Sequence, residues 1–186
     1  MNSLSRYFLV RKINRILRNS NREKKYLNLK EIRSILLLFD TQDYSDANFF
    51  IKQLKRMGKK VKSCAYKDKN DTNNYSNILY NIVTDKDVNI WKNDFMRKTI
   101  DSLCADSYDL VINMTLKENL LLQYLLVSVD SSFKVGFSKT NFPIYDMVIS
   151  FAPEMEFNGI VTVRELSKQV IHYLATISSG NLKNKK

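Results

Sequence analysis

Apolar and polar positions recur along this chain at two periods, and the switches between them lay out its elements. Leu9, Ile13, Ile16 and Leu17 fall at three- and four-residue intervals, the period of an amphipathic helix that Ser3 or Ser5 can cap and that runs to about Arg18 or Arg22. Asn19–Asn28 is polar and reads as a linker. Ile32–Phe39 is then almost continuously apolar, the pattern of a strand buried on both faces. Asp43–Gly58 returns to the helical period, with Ser45 or Asp46 as a cap, Phe49, Phe50, Leu54 and Met57 as its apolar face, and Gly58 as its stop. Lys60–Tyr66 alternates as a strand, Lys67–Asn77 is a polar loop, and Ile78–Val83 is a short apolar run.

The second half repeats the scheme. Thr84–Asn93 is irregular, Asp94–Asp106 helical, Tyr108–Met114 a buried strand, Lys117–Val129 a helix, and Phe133–Phe137 and Met147–Phe151 strands. Thr162–Ile177 is a closing helix, with Thr162 and Glu165 spaced as a capping box. Strand and helix alternating in this way predict a three-layer, Rossmann-like α/β domain with a mostly parallel sheet. The expected division is a basic helical arm and linker over residues 1–30, an α/β body over 31–180 and a basic tail over 181–186. With the core expected downstream, the arm is expected to be dispensable for folding.

Charge sharpens that division. Of the net +11, residues 1–30 carry +8 and residues 181–186 carry +3, while the 18 basic and 18 acidic side chains between them cancel. A neutral body with basic ends is a recurrent arrangement for binding nucleic acid. Arg11, Arg15, Arg18 and Arg22 are spaced to stack on one face of the first helix, and guanidinium groups contact phosphate bidentately at any working pH. The expected RNA-contacting residues are Arg6, Arg11, Lys12, Arg15, Arg18, Arg22, Lys24 and Lys25, with Lys183, Lys185 and Lys186 of the tail. A basic amphipathic helix also suits a membrane surface or a mitochondrial transit segment. The basic carboxyl end, which targeting does not explain, favours a retained arm.

Catalytic signals are sparse. The turn after the first strand, Asp40-Thr41-Gln42-Asp43, has no glycine to let a phosphate approach, and Gly58, Gly136, Gly159 and Gly180 form no nucleotide-binding motif. Asp40 and Asp43 occupy the usual ligand position of an open sheet and are the enzymatic candidates; otherwise they are a loop acid and a cap. His172 reads as structural within the last helix. Cys64 and Cys104 read as small buried hydrophobes in a reducing compartment. No metal, cofactor or small-molecule substrate is expected. No apolar run approaches the roughly 20 residues that span a bilayer.

Tyr108-Asp109-Leu110-Val111-Ile112-Asn113-Met114, the Leu-rich segment Leu120–Val129 and Phe133-Lys134-Val135-Gly136-Phe137 resemble the amino-terminal half of heptosyltransferase-type GT-B glycosyltransferases. The whole chain also resembles a small family of basic proteins from the Bacteroidota, in which Tyr145-Asp146-Met147-Val148-Ile149 and the closing helix recur. The resemblance implies a lone half of the GT-B fold, without the half that holds the sugar nucleotide, and matches no catalytic residue. The expected function is therefore a non-enzymatic, cytoplasmic rRNA-binding protein, a structural component or stable associate of the bacterial ribosome, with the large subunit favoured. Its partners would be rRNA and neighbouring ribosomal proteins. The alternative is a degenerate glycosyltransferase-like enzyme or regulator held on an anionic membrane by its first helix.

Overall fold

The computed structural model describes residues 3–75, 81–87, 98–137, 140–150, 162–178 and 180–181. In chain order the described elements are α1 (Ser3–Asn19), β1 (Lys25–Tyr26), β2 (Ser34–Asp40), α2 (Tyr44–Arg56), β3 (Lys60–Tyr66), β4 (Asn81–Val83), α3 (Lys98–Cys104), β5 (Ser107–Asn113), α4 (Leu120–Ser128), β6 (Asp130–Gly136), β7 (Met147–Val148), α5 (Val163–Thr176) and β8 (Gly180–Asn181).

Six strands form one parallel sheet in the order β4-β3-β2-β5-β6-β7. The chain enters at the centre, builds outward through β3 to β4, then crosses back to build β5, β6 and β7. The crossovers place α2 on one face and α3 and α4 on the other. This is the three-layer, Rossmann-like α/β arrangement read from the sequence.

The continuous apolar run of β2 has its explanation here, because alternate residues serve opposite faces. Ile35, Leu37 and Phe39 join Phe50 and Leu54 of α2 and Leu166, Val170 and Leu174 of α5 in one core. Leu36 and Leu38 join Leu103 of α3 and Leu122, Leu125 and Leu126 of α4 in the other. Local signals set the helix ends. Gly58 at φ +78 ends α2, with Gly58 N donating to Lys55 O (3.0 Å) and Lys59 N to Leu54 O (3.1 Å), the paired bonds of a Schellman motif. Asn119 caps α4, accepting from Leu121 N and Leu122 N at 3.1 Å each. Thr162 caps α5 by accepting from Glu165 N (3.2 Å), while the Glu165 carboxylate pairs with Lys168 (2.7 Å).

Two expectations need correction. The core is not confined to the chain beyond residue 30: Leu9 and Ile13 of α1 are 0% exposed and belong to the second core beside α4. Their apolar stripe is the packing face of an outer-layer helix, so α1 is packed into the body. The polar linker also contains β1, which pairs antiparallel with β8, Lys25 opposite Asn181 and Tyr26 opposite Gly180. Element ends shift as well. β6 begins at Asp130 because Ser107 and Tyr108 of β5 pair with Asp130 and Ser131, and β7 stops at Val148. Of the expected segments 78–83, 94–106 and 147–151, residues 78–80, 94–97 and 151 lie outside the described residues.

Candidate nucleic-acid interface

Because Leu9 and Ile13 face inward, helical geometry turns the other side of α1 outward. Arg6, Arg11, Arg15 and Arg18 are exposed, and Lys12 is half-buried at the edge of the face. Tyr7 (60% exposed) and Leu4 (55%) stand among them. Tyr7, Arg11, Arg15 and Arg18 lie along the solvent side of α1. Lys24 and Lys25 lie half-buried in the segment after the helix, Lys25 being 3.2 Å from Glu23. Lys183, Lys185 and Lys186 lie outside the described residues.

Arg22 departs from the expected ridge. α1 ends at Asn19, so Arg22 is off the helix, and its side chain is 12% exposed. One guanidinium nitrogen donates to both carboxylate oxygens of Asp146 (2.6 and 2.7 Å), whose side chain is 0% exposed. The other donates to the carbonyls of Ser131 (3.2 Å) and Ser132 (3.0 Å) at the start of β6. These bonds fix the strand of chain that leads from α1 on one face of the sheet to Tyr26 on the other, where the Tyr26 ring meets Phe133 edge-on at 5.3 Å. Arg22 is thus a structural latch and is removed from the RNA-contacting set.

Lys134 is the basic residue the charge pattern did not single out. It is 4% exposed, and its ammonium donates to the carbonyls of Leu126 (2.5 Å) and Val129 (3.3 Å) at the end of α4. Burial, with the nearby Arg22 charge, pushes its pKa down to about 7. A cavity of about 510 Å³ between the last turn of α1, α4 and Pro143–Ile144 is lined by Lys134, Arg22 and Lys24.

The carboxyl edge of the sheet, where an open α/β domain would hold a ligand, is occupied by its own side chains. Burial, reinforced by Asp43, raises Asp40 to about 6, while Lys117 opposes the shift; Asp43 is raised by burial and Asp46. The Thr41 and Tyr75 hydroxyls donate to Asp71, holding it down to about 2. At the ends of β5 and β6, Tyr145 packs against the sheet and the second core. Its hydroxyl accepts from Asn113 Nδ2 (2.7 Å), and its ring lies 2.3–2.6 Å from where a Cβ on Gly136 would stand. The glycine that ends β6 therefore makes room for a tyrosine of the same chain. Asn113 Oδ1 is used by the Thr115 hydroxyl (3.0 Å).

The remaining candidates are placed simply. His172 is exposed on α5, its ring edge-on to Tyr173 at 5.8 Å. Cys64 is buried and Cys104 half-buried, both thiols raised chiefly by burial. Among the described residues no His, Cys, Asp and Glu side chains cluster to hold a metal, and no helix is long and apolar enough to cross a membrane.

No curated protein matches the chain. A solved polyketide synthase domain described as an enoyl reductase aligns over 94% of each chain at 12% identity, with a TM-score of 0.36 that carries no argument about fold or chemistry. A family profile matches residues 6–177, and the chain belongs to that family, DUF6913, a family of unknown function.

Proposed function

We propose that this chain is a non-catalytic RNA-binding protein, a structural component or stable associate of the bacterial ribosome, and that it holds the RNA backbone on the outer face of α1. The observation that carries this reading is the orientation of α1. Leu9 and Ile13, each 0% exposed, lock one side of the helix into the core and leave Arg11, Arg15 and Arg18 exposed on the other. A helix held this way presents its guanidinium groups from a fixed backbone, so less backbone freedom is lost on binding than with a loose tail. The neutral body adds no net charge of its own. The β1–β8 pairing sets Lys25 beside Asn181, two positions before Lys183 in the sequence.

The membrane-bound enzyme reading has weaker support. A helix lying in a bilayer interface must bury its apolar face in lipid. The apolar face of α1 is already buried under α4 and the sheet. The half of the GT-B fold that would hold a sugar nucleotide is also not among the segments that carry the resemblance, and no nucleotide-binding glycine motif follows β2. The two readings separate on a sucrose gradient of native lysate. The proposal expects the protein to sediment with a ribosomal subunit and to stay there after a salt wash. Recovery in the membrane pellet, or at the top of the gradient, contradicts it.

A further inference from the structure

We infer that the outer face of α1 binds RNA in single-stranded form, with Tyr7 stacking on an unpaired base while Arg11, Arg15 and Arg18 hold the adjoining phosphates. The inference rests on the RNA-binding reading and specifies its ligand. Its starting point is Tyr7, 60% exposed on a helix that already has an apolar face inside the core. At 100° per residue, Tyr7, Arg11, Arg15 and Arg18 fall within an arc of about 80°, in the order aromatic, cation, cation, cation along the axis. Successive members lie about 4.5–6 Å apart in rise. The Tyr7 ring meets Phe8 edge-on, 5.8 Å between centroids at 73°, which leaves its outer face open to solvent.

Duplex RNA offers this row little. The major groove of an A-form helix is too deep and narrow for side chains to read, and its stacked bases present no face to an aromatic ring. A single strand offers both a free base face for the ring and a line of phosphates for the guanidinium groups. The aromatic residue would have no task on a duplex backbone, and a lipid surface would find the neighbouring apolar stripe already taken.

The test is fluorescence anisotropy with the full chain, using a labelled oligouridine strand and an A-form duplex of equal length at one salt concentration. Tyr7 is exposed, so its replacement leaves the core intact. The strand should bind more tightly than the duplex. Tyr7→Ala should weaken strand binding by roughly 5- to 150-fold, the range of one base stack removed, and leave duplex binding unchanged. Tyr7→Phe, which keeps the ring, should bind as wild type does. If both RNAs bind and Tyr7→Ala changes neither or both equally, the single-strand inference fails while RNA binding stands. If wild type binds neither RNA, the RNA reading fails with it.

Discussion

Arg22→Ala should be among the most destabilising substitutions of any charged residue in this protein. The Asp146 carboxylate is fully buried and receives three hydrogen bonds: two from Arg22 at 2.6 and 2.7 Å and one from the backbone N–H of Lys134 at 2.9 Å. Removing one partner of a buried ion pair strands the other charge, at a cost of about 3–5 kcal/mol. Lys24, 3.6 Å from the same carboxylate and 41% exposed, offsets part of that, so a loss near about 3 kcal/mol is expected. Against a total stability of roughly 5–15 kcal/mol, this would be obvious in urea denaturation as a lower midpoint with an unchanged slope. The double variant Arg22→Met/Asp146→Leu strands no charge and should recover most of the loss. Where both proteins are folded, Arg22→Ala should bind RNA as wild type does. A loss below about 1 kcal/mol, or weakened RNA binding at unchanged stability, would refute the latch and return Arg22 to the RNA-contacting face.

Other substitutions test other parts of the account by the same denaturation assay. Leu9→Ala and Ile13→Ala should each cost about 2–5 kcal/mol, through reduced burial and the cavity left behind; wild-type stability would detach α1 from the core. Gly136→Ala should cost about 1–3 kcal/mol, because its methyl group would meet the Tyr145 ring, and Tyr145→Ala in the same chain should relieve that clash. Asp40→Asn should depend on pH. The folded carboxyl, raised to about 6 from 3.8, binds its proton more tightly than the unfolded one, so this group's contribution to stability falls as pH rises between those values. The Asn variant should gain about 1–2 kcal/mol at neutral pH, after discounting for the water that reaches this side chain, and nothing near pH 4; a gain that is the same at both pH values would contradict the burial of the charge.

What the sequence made legible follows from range of interaction. The strands were readable because Ile35–Phe39 and Leu110–Met114 are buried on both faces and so are apolar throughout apart from Asn113. Helix ends were readable where the cap is local, as at Thr162 and Gly58. The role of Arg22 was not, because its partner Asp146 lies 124 residues away and nothing near Arg22 distinguishes it from its exposed neighbours. Leu9 and Ile13 showed the right period, yet a period does not say whether solvent, lipid or α4 covers the stripe. β1 and β8 are two residues each, too short for any pattern, and exist only because the ends of the domain meet. Gly136 and Tyr145 were each visible in a motif, but their packing against one another is tertiary.

The claim on which the account turns is that the outer face of α1 carries RNA binding. It is tested most directly by the affinity of an rRNA fragment across a salt series, for wild type and for Arg11→Ala/Arg15→Ala/Arg18→Ala. All three side chains are exposed, so the folding midpoint should be unchanged. The account predicts much weaker binding and a slope of log Kd against log salt that is shallower by about 2, at about 0.7 for each single-strand phosphate that is no longer neutralised. A triple variant that keeps the wild-type affinity and slope would contradict it.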